Sequence, residues 1–203
     1  MKDSLRADDI VAFLLNAYFR NVDDPLIAAA NLAYLDLNRT IEFKTVKSFS
    51  EKRRDALRTK SVRLIKTQVL ELMKKSDMTQ GIFDIWHIEL CRAIVKNYTE
   101  DGVPFHYGQA QKWVNMSFKY LSVIDCEETA GIQEFLHIPI DSIIIEMALE
   151  DFQLERPLTR WSRMEEEDYL HYQEQLSKIV RERNGIPPFL WEFRRWNKKV
   201  HYD

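Results

Sequence analysis

The sequence predicts an all-α fold: a single compact helical domain over 1–203, with 1–80 and 81–203 as candidate lobes around a cleft. Three observations carry this. Only five Gly and six Pro occur in 203 residues, a density of chain breakers that favours long helices over many short strands joined by turns. Apolar residues recur at helical spacing in one segment after another. Only "TEDGVPFHYG" gathers clear turn signals, Asp101-Gly102 and Pro104. With 45% hydrophobic and 30% charged residues, the composition is that of a folded chain rather than a disordered one.

Asp8 and Asp9 precede Val11, Leu14, Leu15 and Tyr18, which predicts a first helix over about 8–20. Pro25 suits the first turn of a second helix carrying Leu26, Ala29, Ala30, Ala33 and Leu37. Both helices are expected to face the core. Ser50 caps a long third helix whose apolar stripe is Leu57, Leu64, Val69, Leu72 and Met73. Ile82, Ile85, Trp86, Leu90, Ile94 and Val95 mark a fourth. Another opens near Gly108, and Pro139 with Asp141 starts one carrying Ile143, Ile144, Met147 and Ala148. The acidic run Glu165 to Asp168 reads as the start of a further helix, favourable with its dipole.

Charge is segregated along the chain. Between Ile41 and Lys75 eleven cations face four anions, although the whole chain carries a net charge of -3. Such a stretch can form a face for polyanions, with Arg53, Arg54, Arg58 and Lys60 at its centre, or a solvated helix face whose long stems cover apolar surface. The two cysteines, Cys91 and Cys126, have no CxxC or Cys/His spacing, so a reducing cytoplasm is the expected compartment. "IVAFLLNAYF" is broken by Asn16 and follows an acidic stretch, so neither a signal peptide nor a membrane span is expected. HExxH, EF-hand, P-loop and GxGxxG strings do not occur, and neither a metal nor a nucleotide cofactor is expected.

The helix in "YGQAQKWVNMSFKYL" raises a question of its own. Lys112 stands near its start, where the helix dipole is already positive. Lys112, Asn115, Lys119 and Ser122 fall on one face, a polar stripe on an otherwise apolar helix that must point to solvent or into a cleft. Downstream, "HIPIDSIIIEMAL" gives Asp141 the position of an N-cap, which aims a carboxylate by tying it to backbone N–H groups.

A Gly-x-x-x-Lys helix start (Gly108, Lys112), followed by an apolar segment and then a Pro-hydrophobic-Asp-Ser cap (Pro139 to Ser142), resembles the core of the helix-hairpin-helix DNA glycosylase superfamily. The resemblance covers about 108–148. The usual Leu-Pro-Gly-x-Gly hairpin is replaced by "VPFHYG", and the interval from Lys112 to Asp141 is long, departures better matched by the atypical branch that resembles the archaeal 8-oxoguanine glycosylases. The resemblance implies DNA as the partner and a base-excision glycosylase with possible lyase activity. Lys112 would attack the sugar through a Schiff base, and Asp141 would assist. It also implies Gly108 and Lys119 as backbone contacts. A flipped base needs flat walls, for which Phe83, Trp86, Phe105, His106 and Trp161 are the candidates.

The competing expectation is a non-enzymatic helical module whose basic helix binds nucleic acid or an acidic protein. The tail, with Trp191 and Trp196 among Arg194, Arg195, Lys198 and Lys199, either follows a nucleic-acid backbone or packs its rings on the body.

Overall fold

The structure is a computed structural model that describes residues 6–20, 23–46 and 49–199. It is all-α, 76% helical and without strands among the described residues. The helices are α1 (Ala7–Phe19), α2 (Pro25–Leu37), α3 (Glu51–Met73), α4 (Gln80–Thr99), α5 (Tyr107–Ile124), the short α6 (Cys126–Thr129), α7 (Ser142–Phe152), α8 (Glu166–Asn184) and α9 (Pro188–Lys199). Ser50 caps α3 as the sequence predicts, and two further helix starts carry caps that the sequence expectations do not name. Asp24 accepts the Ile27 N–H ahead of Pro25, Ser50 the Arg53 N–H and Thr79 the Ile82 N–H. Gly185 ends α8 in the left-handed conformation, at φ 65°.

Helix α5 is the axle of the molecule. Every residue from Tyr107 to Lys119 is buried, so neighbours wrap it on nearly all sides. The closest of them is α2. Ala29, Ala30 and Ala33 are fully buried, and their small side chains let the backbones approach while Trp113 donates its indole N–H to the Ala30 carbonyl at 2.8 Å. One hydrophobic cluster then runs from Ala29 in α2 to Trp191 in α9.

Two sequence expectations are corrected here. Helix α1 does not face the core: Val11, Leu14 and Tyr18 are more than half exposed, and only Phe19 at its end is buried, edge-on to Tyr120 at 5.9 Å. In α4, Ile85 is 62% exposed while Phe83, His87 and Cys91 turn inward; the true stripe is one position out of phase at that point. Lys47, counted in the basic stretch, lies outside the described residues.

Gly108 answers part of the question raised by the start of α5. A Cβ at this position would lie 1.7 Å from the carbonyl oxygen of Trp161, and the Gly108 N–H donates to the Met164 carbonyl at 2.9 Å. The glycine is required because a turn of 3-10 helix, Trp161–Arg163, packs directly on the first turn of α5. No helix among the described residues is long and apolar enough to cross a membrane.

Candidate active site

Lys112 and Asp141 meet. Helix α5 carries the lysine inward from its second turn, where it is only 5% exposed, and its Nζ donates to Oδ2 of Asp141. Asp141 is the N-cap of α7, and its other oxygen accepts the Ile144 N–H at 2.9 Å. Both carboxylate oxygens are thereby held, one by an amine and one by a helix end.

The pair lies in the wall of a cleft of about 320 Å³, formed by α2, α5, α7, α9 and the Trp161 turn. This volume falls within the range of small-ligand sites. Two turns along α5, Lys119 also points into the cleft and donates to Oε1 of Glu192 in α9 at 2.6 Å. Its ammonium sits 4.8 Å from the centre of the Trp196 ring, a cation–π distance. Glu192 is 1% exposed, and its second oxygen, Oε2, is buried with no partner among the described residues. Burial pushes the Glu192 carboxyl above its ordinary range against the opposing pull of Lys119.

A third polar pair completes the lining. Tyr120 donates its hydroxyl to Oδ2 of Asp36 in α2 at 2.9 Å. Desolvation raises the Asp36 carboxyl, while the Tyr120 hydrogen bond and the Lys112 charge oppose it. Tyr18, Val123, Ile143 and Trp196 line the cleft and are each more than a third exposed, so apolar groups rim a polar interior.

The other residues singled out from the sequence lie elsewhere, except Trp161 and Lys119. Trp161 does line the cleft. Trp86 is corrected to core: it packs on Phe83 and Phe118 and donates its N–H to the Gln68 carbonyl at 3.2 Å. Phe105 is also core, stacked on Tyr98 with ring centres 4.2 Å apart. His106 precedes α5, bonds Glu165 at 2.8 Å and lines a neighbouring cavity with Arg39 and Arg160. Lys119 is not a surface cation but a buried one inside the cleft. The Gly108 N–H is committed to Met164 and has no free donor to offer a phosphate.

On α3, Arg53 bonds Asp101 and lies over Phe49, Arg54 lies over Phe43, and Arg58 lies over Tyr34 beside Asp55. These guanidinium groups cover aromatic core edges; Arg53, Arg54 and Lys60 are exposed, whereas Arg58 is half-buried, with its Nε out of contact with solvent.

The predicted polar stripe of α5 divides. Lys112 and Lys119 enter the cleft, whereas Asn115 turns into a buried network with His87 and Tyr169. Glu192, Asp36 and Tyr120 are absent from the sequence-based candidates for the cleft, and Trp196, expected on a nucleic-acid backbone or against the body, lines it. The available signals were the heptad step from Lys112 to Lys119 and a lone acid among the aromatics of "PFLWEFRRW". Among the described residues no three His, Cys, Asp or Glu side chains group to hold a metal. Comparison with protein-family models, with curated proteins and with solved structures gives no match.

Proposed function

We propose that the protein is a DNA glycosylase of base-excision type with lyase capacity, acting in the cytoplasm, and that the cleft receives one nucleotide turned out of the duplex. The observation that carries the reading is the contact between the Lys112 amine and the Asp141 carboxylate in the wall of a recess with aromatic sides and an unpartnered buried carboxylate oxygen.

In this reading Asp141 takes a proton from Lys112 Nζ, with which it is already in contact. The nitrogen lone pair then forms a bond to C1′ as the glycosidic bond breaks; the glycosidic electron pair leaves with the base, which takes the proton from Asp141 and restores the carboxylate. The restored Asp141 charge stabilises the cationic nitrogen now joined to C1′. Opening of the C1′–O4′ bond, with a proton passing from Nζ to O4′, yields the protonated imine. The base stands between Trp161 and Trp196, and Glu192 Oε2 accepts one of its N–H groups.

Borohydride added to the protein with abasic or damaged duplex DNA tests this by reducing the imine to a stable covalent adduct. Wild-type protein is expected to form it. Lys112→Ala abolishes it, and Asp141→Asn slows it by about 100-fold or more, the scale of a lost transition-state contact. A Lys112→Ala protein that still forms the adduct would remove the lysine from its role.

A further inference from the structure

Behind the cleft, α5 carries a second buried polar group next in sequence to the nucleophile. Gln111 is fully buried, and its amide uses every hydrogen-bonding position it has. Nε2 donates to the Gly108 carbonyl at 2.9 Å and to the Ile140 carbonyl at 2.7 Å. Oε1 accepts the Ile140 N–H at 3.2 Å and Asn115 Nδ2 at 3.1 Å. The side chain thus holds both main-chain groups of Ile140, the residue immediately before Asp141, as a neighbouring strand would. From the far side, the Ile144 N–H holds Asp141 Oδ1.

The orientation of that amide is itself fixed. Asn115 Nδ2 also reaches the Tyr169 hydroxyl at 3.0 Å and the Ile138 carbonyl at 3.2 Å, while Asn115 Oδ1 accepts His87 Nε2 at 2.9 Å. Tyr169 bonds His137 Nδ1 at 3.0 Å, and His137 Nε2 bonds Asp84 at 2.8 Å. Tyr169 donates to His137 and His137 to Asp84, and the two N–H groups of Asn115 are shared among three acceptors, Gln111 Oε1, the Ile138 carbonyl and the Tyr169 hydroxyl. A chain of polar groups therefore runs from a half-exposed carboxylate on α4 to the main chain beside the cleft, packed among core side chains where such networks hold one geometry.

We infer that Gln111 is a positioning residue: by gripping the main chain of Ile140 it holds the Asp141 carboxylate in contact with Lys112. One helix then supplies both the amine and the grip on its partner, so their separation depends on a single rigid element. The catalytic consequence rests on the reading of the cleft given above, whereas the structural part stands by itself.

The test uses the full chain with Gln111→Met, close in shape and without hydrogen bonds, and Gln111→Glu. Gln111→Met is expected to slow adduct formation on abasic duplex at least about 10-fold while its Kd for the same duplex stays within about twofold, the signature of lost geometry rather than lost binding. Amide exchange at Ile144, whose N–H caps Asp141, is expected to speed up at least about 10-fold relative to Val180 in α8, because the cap loosens. For Gln111→Glu, the adduct rate relative to wild type is expected to rise as pH falls, since a protonated carboxyl replaces the amide's donor and acceptor and an ionised one faces two carbonyl oxygens.

Unchanged Ile144 exchange in folded Gln111→Met protein would overturn the inference whatever the activity, and so would an unchanged adduct rate. A wild-type protein that forms no adduct would overturn the glycosylase reading alone, leaving the exchange comparison to decide the role of Gln111. Should Gln111→Met not fold, the pH trend of Gln111→Glu decides, and a ratio flat with pH counts against the grip.

Discussion

Lys119 and Glu192, 73 residues apart in the chain, form a 2.6 Å ion pair with both side chains almost withdrawn from water. The pair joins the central helix to the last one. Its carboxylate has one oxygen to spare, and burial makes the ionised form costly.

That arrangement sets a pH dependence. The folded-state pKa of Glu192 is raised above its unfolded value, so the native state holds the proton more tightly. The stabilising contribution is complete below the ordinary carboxylate range and is lost as pH rises through the raised value. Asp36 works in the same direction. His87, buried and held well below its ordinary value first by desolvation and then by His137, works in the opposite direction: its contribution is present above the ordinary histidine range and is lost as pH falls. The quantity to measure is therefore the difference between wild type and Glu192→Gln in urea midpoint from about pH 4 to 8. The difference is expected to move in favour of the glutamine variant as pH rises; a constant difference would show that the Glu192 carboxyl titrates normally.

Gly108→Ala places a methyl group against the Trp161 carbonyl, in a segment that the Gly108 N–H holds on α5 through the Met164 carbonyl. Relief requires the 160–164 segment to lift away. We expect a loss of about 3 kcal/mol or more, at the upper end of overpacking costs, visible as a lowered Tm. Trp161 fluorescence should shift as well, in a background where the other tryptophans are replaced. Unchanged stability would mean that the turn is not seated on α5.

Salt dependence tests the proposed binding of duplex DNA and separates the cations that could serve it. Arg39, which lines the cleft, and Arg160, in the neighbouring cavity, are exposed. Arg53, Arg54 and Arg58 are occupied with aromatic rings and acids on α3. If Arg39 and Arg160 contact phosphates, changing each to Ala should lower the slope of log K against log salt by about one. The α3 changes are expected to alter the slope less. The reverse ranking would move the DNA path onto α3.

The Lys112–Asp141 contact was legible because its determinants are local: a helical start near Gly108, and an Asp followed by an apolar helix with Pro two residues before it. The opposite wall was not. Glu192, Trp196, Asp36 and Tyr120 reach the cleft from α9, α2 and the second half of α5, and only the tertiary packing of α2 and α9 on α5 brings them there. Aromatic residues misled for a related reason. Trp86 and Phe105 have the same chemistry as Trp161, yet burial against α3 and Tyr98 makes them filler. Helix α1 shows the limit of periodicity, since its apolar positions follow a buried pattern while most of that face meets solvent.

The bond from the Trp113 indole to the Ala30 carbonyl fixes α5 against α2 both along and about its axis. A ratchet of one turn, about 5.4 Å, would strand that indole in a sleeve of alanines. The two lysines of the cleft are therefore stationary fittings, carried by an element that cannot slide.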